Sequence, residues 1–254
     1  MARIGNQQPS RISLAALGDG PRANGTQRNP KEAAYRRLKE DIVLGRLPFG
    51  AVLSSRKLGQ EMGISFLPVA DALRVLEVEG LVETRDRVGT RVRIPTVDDI
   101  NGVYTVREAL ESQAARLCSQ RATKVQRRLL KSKAREVDAM YHACERESAS
   151  QEQWLETTMV HSNFHHFITE CAGCPMLTRA VENSQVLMFK ILFDSTLRRK
   201  KRPENWHMTL ATAIAEGTLA EADVAARQHI VFGIGEVLAC VETFQTENRW
   251  RTRS

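Results

Sequence analysis

The chain has 254 residues, 42% hydrophobic and 26% charged, which is ordinary globular composition and long enough for two domains with a sizeable core. No stretch runs long enough without charge to cross a membrane. Five cysteines, an odd number with no secretory leader ahead of them, fit reduced thiols, so a cytoplasmic protein is expected. The net charge of +7 is unevenly placed: residues 1–95 hold 16 Lys+Arg against 10 Asp+Glu, and residues 96–254 hold 21 against 20, so the basic character points to a nucleic-acid partner for the first part.

Met1 to Pro30 is rich in Gly, Asn, Gln, Ser and Arg with one brief apolar patch, Ile12 to Leu17, and reads as a mobile arm. Lys31 to Leu44 is a helix by the spacing of Ala34, Leu38, Ile42 and Val43, and Gly45 stops it. Ser54 and Ser55 offer hydroxyls to cap a second helix through Leu58 to Met62, which Gly63 ends. Ser65 is expected to cap a third, with Pro68 in its first turn, Val69, Leu73 and Leu76 as its buried stripe and Gly80 as its stop. Leu81 to Thr84 and Thr90 to Ile94 are short β-favouring runs, joined by Asp86-Arg87-Val88-Gly89 as a hairpin turn. Arg85, Arg87, Arg91 and Arg93 on that hairpin suit contact with phosphates, because each guanidinium releases counterions from a duplex.

The order Gly45 to Gly50 (G-x-L-x-x-G), Leu53, Leu58, Gly63-Ile64-Ser65, Pro68-Val69, Ala72-Leu73, Leu76-Glu77, Glu79-Gly80-Leu81-Val82 and Gly89-Thr90 resembles the winged helix-turn-helix of GntR-family bacterial transcription regulators. The resemblance implies operator DNA as partner, with contacts carried by Arg56, Ser65, Arg74, Thr90 and Arg91. Two places depart from the family pattern: Phe66 and Ala70 stand where arginines are usual. Phe66 is kept as a DNA-facing position suited to a thymine methyl.

Pro95 to Asp99 reads as a short linker whose Thr96 and paired acids start the next helix. From Ile100 to about Phe244 there is no strand-like alternation. Helical spacing recurs over Val103 to Leu117, Leu129 to Tyr141, Trp154 to Cys171, Leu177 to Phe193, Met208 to Glu216 and Ala220 to Phe244, with breakers at Gly173, Pro175, Pro203 and Gly217. The expected fold is therefore mainly α: an arm over 1–30, a winged helix-turn-helix over 31–95, an all-α bundle of six or seven helices over 96–245 and a tail over 246–254.

Histidines mark the bundle. His161 and His165 stand one turn apart on one helix face, and His207 and His229 lie on two later helices separated by Gly217, a spacing that lets four rings aim at one ion. His166 is expected to face away and His142 to stand alone. Val106 to Glu111, Phe164-His165 with Ala172-Gly173, and His207 with Ala213, Gly217, Ala222 and His229 resemble the helical sensing domain of FadR-like GntR regulators. That resemblance implies a dimer and a divalent metal held by one Asp and three His. His161 occupies the place of the Asp. A nitrogen-only site of His161, His165, His207 and His229 shifts preference from Mn or Mg toward Zn, with Ni or Cu next. The alternative is a three-His site, without His161, that leaves positions open for water or an effector carboxylate.

Arg107 matches a family arginine that faces the same cavity, which implies a small organic acid as signal; an Arg107–Glu111 pair on the helix surface is the competing reading. The whole is expected to be a repressor released by that acid. Two rivals remain: a helical sensor that has lost DNA binding, and a histidine-ligated metal hydrolase. His161 to His165 has H-x-x-x-H spacing but no Glu after the first His to act as general base, so catalysis is not expected. Cys171-Ala172-Gly173-Cys174 is a single C-x-x-C and reads as packing rather than a zinc ribbon or redox pair.

Overall fold

The computed structural model describes residues 29–43, 45–85, 89–146, 149–183 and 202–248. Its first helix, α1 (Pro30–Val43), turns Ala34, Leu38, Ile42 and Val43 inward. Strand β1 (Val52–Leu53) follows, then α2 (Ser55–Met62), whose first turn is capped by the Ser54 hydroxyl on the Lys57 amide. Gly63, at φ 67°, turns the chain out of α2 in the left-handed region and donates to Gln60. Helix α3 (Phe66–Val78) buries Val69, Ala72, Leu73 and Leu76 against α1 and α2. Ser65 holds the N-cap backbone position of α3, but its hydroxyl makes no capping bond, contrary to the sequence expectation.

Strands β2 (Val82–Arg85) and β3 (Gly89–Val92) pair antiparallel, with Thr84 opposite Thr90, and β1 joins on the other side of β3 to give the order β1-β3-β2. The third strand is an addition to the two expected. It is only two residues long, too short to show alternation, and its place is set by the partner: Gly50 N–H donates to Val92 and Val92 N–H to Ala51. The hairpin tip 86–88, with Arg87, lies outside the described residues, as do the arm to residue 28 and the last six residues.

Thr96 and Asp99 form a reciprocal capping box that starts α4 (Val97–Arg121). Helices α5 (Lys124–Arg146), α6 (Gln151–Cys171), α7 (Pro175–Asn183), α8 (Trp206–Glu216) and α9 (Leu219–Asn248) follow, so six helices are described after residue 96. The part of the expected 177–193 helix beyond Asn183 lies outside the described residues. Helix α5 begins five residues before the apolar spacing does, because Thr123 and Gln126 cap it reciprocally, the Thr123 hydroxyl accepting from the Gln126 amide and the Gln126 side chain from the Thr123 amide. Arg127 in its first turn donates to Ser119, Ala122 and Ala215, binding the ends of α4 and α8 to it.

Helix α9 runs along α4, α8 packs on α5, and α6 lies against both α4 and α5. Ala114, Ala115, Ala134, Ala211, Ala222 and Ala226 let these helices approach closely around Leu130, Phe164, Ile168, Leu210 and Ile214. A smaller core of Ile100, Tyr104, Ile230 and Val237 joins α4 to α9, and Phe49, ahead of β1, packs against both that core and the winged unit.

Candidate metal centre and nucleic-acid interface

Four imidazoles meet between α6, α8 and α9, all of them buried. His161 Nε2 lies 2.9 Å from His165 Nε2, which lies 3.2 Å from His229 Nε2. His161, His207 and His229 each present a ligand nitrogen, and the three nitrogens fall within 4.8 Å of one another. The four residues singled out from spacing are thus brought together. His165 joins the cluster through His161 and His229. His166 points elsewhere, toward Glu170 and Glu182.

In three of the four rings the nitrogen that faces away from this point is held by a polar partner. His207 Nδ1 sits 2.6 Å from Asp138 on α5, His165 Nδ1 sits 2.8 Å from Glu111 on α4, and His161 Nδ1 sits 3.0 Å from the Tyr141 hydroxyl. Trp206 stacks on His229, with ring centroids 5.5 Å apart. Such outer bonds fix ring orientation and tautomer and raise the basicity of the inward nitrogen, as around metal-bound histidines. His207 Nε2 is buried and has no hydrogen-bond partner among the described residues. An orphaned imidazole nitrogen inside a ring of three others fits the lone-pair donors a divalent cation takes.

Burial pushes the His207 imidazole down to about 4, against the raising pull of Asp138, so the ring stays neutral and able to ligate at pH 7. Burial would raise Asp138, but the bonds from His207 and Met208 hold its carboxyl below the usual range. Glu111, buried too, is held far below its ordinary value by Arg107 and then His165. The Arg107–Glu111 pair therefore exists, but in the interior instead of on the helix surface; burial works against the Arg107 charge and Glu111 outweighs it.

Beside His165 and Glu111 lies a cavity of about 10 Å³ walled by Ala114, Ala115, Ile168, Leu210 and Ala226, the room of a single water. Arg202, also buried, lies over the Tyr141 ring at 3.7 Å and within 4.0 Å of Glu145.

In the winged unit, Arg56 is exposed on α2 and forms no ion pair among the described residues, as does its neighbour Lys57. Arg74 is held by Asp71 at 2.8 Å and Arg91 by Glu83 at 2.6 Å, while Thr90 meets Thr84 across the hairpin at 3.1 Å. Ser65 and Phe66 are exposed at the start of α3. Arg93 is turned to Asp99 at the start of α4, tying the wing to the bundle.

Sequence reasoning missed Asp138, Tyr141 and Arg202, and took Glu111 only as a partner of Arg107. A faint signal existed for Asp138: it follows Ala134 and Val137 and precedes Tyr141 at helical spacing, which places a carboxylate on the inward stripe of α5.

Residues 30–92 match the family model described as bacterial regulatory proteins, gntR family, and residues 102–232 match the FCD domain. Over 79 residues the chain is 40% identical to a probable D-xylose utilization operon transcriptional repressor of Paenarthrobacter nicotinovorans, covering 31% of this chain and 35% of that protein. Over 174 residues it is 24% identical to the HTH-type transcriptional repressor RspR of Escherichia coli, covering 67% of this chain and 73% of that one. The match to an HTH-type regulator of Bacillus subtilis, YdhC, spans 48% of that protein. A crystal structure of a GntR regulator from Rhodococcus shares the fold at TM-score 0.64 and 18% identity, covering 82% of this chain and 97% of that one. E. coli McbR/YncC shares it at TM-score 0.57 and 16% identity, covering 86% and 100%. No helix of the described residues is long and apolar enough to cross a membrane.

Proposed function

The chain belongs to the GntR family of bacterial transcription regulators, with an FCD domain behind its winged helix-turn-helix, and from that premise we propose a dimeric repressor that senses a small carboxylate at a histidine-ligated metal. The family assigns regulation and not catalysis, consistent with the missing general base between His161 and His165. The observation that carries the sensing half is the His207 Nε2 lone pair, buried among three other imidazoles, without a hydrogen-bond partner among the described residues and backed by Asp138.

In this reading His161, His165, His207 and His229 hold a divalent ion, Zn in preference and Ni next, because four neutral imidazoles favour borderline ions over the oxygen-seeking Mn and Mg. The bound ion would supply a positive centre for an effector carboxylate. Arg107 adds a second cation on the same side of the bundle, already committed to Glu111. The cavity beside His165 is too small for an organic acid, so admitting one separates α4 from α6, α8 or α9. Helix α4 leads back through Arg93–Asp99 to the wing, so its displacement re-aims the two reading heads of a dimer and their half-site spacing is lost. On the DNA side, Arg56, Ser65, Phe66, Arg74, Thr90 and Arg91 form the contact set, with Arg56 and the hairpin arginines gripping phosphates.

The test is fluorescence anisotropy with DNA from upstream of the chain's own gene, with and without chelator, together with metal analysis of the purified protein. Expected are one ion per chain, lost in His165→Ala, and DNA affinity that falls steeply with salt and with added small organic acids. A protein that purifies without metal and ignores DNA at low salt would overturn the reading.

A further inference from the structure

Helix α3 presents an unusual outer surface for a segment that enters a DNA groove. Its first two residues, Phe66 and Leu67, are 53% and 56% exposed and contribute nothing to the core of the winged unit. Its one cation, Arg74, is bound to Asp71. Its other acid, Glu77, accepts from the Thr84 amide. The helix therefore carries two acids and one base, and the only polar side chain at its leading end is Ser65, whose hydroxyl is not spent on capping.

Resting on the DNA-binding reading above, we propose that Phe66 and Leu67 are specificity-determining residues that read thymine by its 5-methyl group in the major groove. Guanine edges offer only acceptors there and need side-chain donors, which this end of α3 lacks apart from one hydroxyl. Adenine asks for a paired donor and acceptor. Thymine alone presents an apolar group. In a helix-turn-helix the leading residues of the second helix reach base edges, which places the exposed Phe–Leu pair where such methyls stand. Phosphate affinity is supplied separately by Arg56 and Lys57, exposed and without ion pairs among the described residues. Phosphate grip and base choice are thus carried by different elements.

The experiment selects duplexes from a random library with the full chain at low salt, then replaces each enriched thymine by deoxyuridine, which removes only the methyl group. The expected result is enrichment of thymine in each half-site and a loss of about fourfold in affinity for each contacted methyl removed, as burial of one methyl-sized group implies, with the salt slope unchanged. The Phe66→Ala/Leu67→Ala double variant, altered only at exposed positions, should bind thymine and deoxyuridine duplexes equally, and each single variant should lose part of the difference. Phe66→Arg should shift enrichment toward guanine. If the unaltered protein binds both duplexes equally while Arg56→Ala still weakens it, methyl reading is overturned and operator binding stands. If no duplex is retained with salt-sensitive affinity, the DNA-binding reading fails and this proposal with it.

Discussion

Asp138 holds His207 at two points: one carboxylate oxygen accepts from the His207 backbone amide at 3.0 Å and from its Nδ1 at 2.6 Å. The first bond fixes where α8 begins relative to α5; the second fixes which nitrogen carries the proton. With Nδ1–H committed to the carboxylate, the lone pair on Nε2 is directed at His161 and His229. Asp138→Asn keeps the side-chain shape but removes the charge that sets this tautomer. Competition titration against a chromophoric chelator should show metal affinity about 10- to 100-fold weaker, as for other partners behind ligating histidines. Unchanged affinity would mean that His207 does not ligate.

The same pair gives the metal-free protein a pH dependence. His207 has a value of about 4 in the fold against an ordinary 6.5, because burial disfavours the charged ring. Between those values the unfolded chain takes up a proton that the folded chain refuses, so stability falls as pH drops from 6.5 toward 4 and is fully present above 6.5. The slope from this group is limited to about 1.4 kcal/mol per pH unit. Denaturant melts of chelator-treated protein should lose roughly 2 kcal/mol more between pH 7 and pH 5 than melts of His207→Gln. Equal slopes in the two proteins would exclude a buried neutral His207.

Much of this was readable before any coordinates. The four clustered histidines were legible from two signals together: spacing, with i and i+4 on one helix and two later helices around Gly217, allows them to meet, and the resemblance to FadR-like regulators singles them out as a set. The winged unit was legible from glycines and apolar spacing, with Gly63 and Gly80 at positive φ where the turns require it. Other features follow from contacts that no local pattern encodes. Strand β1 exists because β3 offers it a partner, and Arg127 finds its carbonyl acceptors only once the fold brings the ends of α4 and α8 to it. Asp138 and Tyr141 looked like routine polar positions on a helix until α6 and α8 brought His161 and His207 against them.

Buried charge makes α4 sensitive to single changes. Glu111 stands between Arg107 and His165 and is the one carboxylate paired with Arg107 among the described residues, another neighbour of that guanidinium being the Tyr104 ring at 5.3 Å. Glu111→Gln leaves that guanidinium buried without a counter-charge, which should cost about 3–5 kcal/mol and lower the melting midpoint sharply. The double change Arg107→Met with Glu111→Leu, which removes both charges at similar volume, should recover most of that loss. A single variant as stable as the unaltered protein would show that Arg107 finds solvent.

The route from the histidines to the wing predicts a separation of function. Along α4, Glu111, Arg107, Tyr104 and Ile100 succeed one another at helical spacing on the buried side, from His165 to the small core with Ile230 and Val237. Phe49 closes that core and, one residue on, Gly50 hydrogen-bonds to Val92 at the end of β3. Neither Phe49 nor Tyr104 belongs to the proposed metal or DNA contact sets, so Phe49→Ala should change neither affinity by more than about threefold when each is measured alone. It should, however, diminish the factor by which an organic acid weakens DNA binding, from the 5- to 150-fold typical of coupled sites toward unity. Spatial continuity alone does not establish coupling. The measurement is therefore the full cycle: DNA affinity with and without acid, in the unaltered and Phe49→Ala proteins. A Phe49→Ala protein that still responds to the acid by the full factor would place the transmission elsewhere, at Arg93–Asp99 or across the dimer.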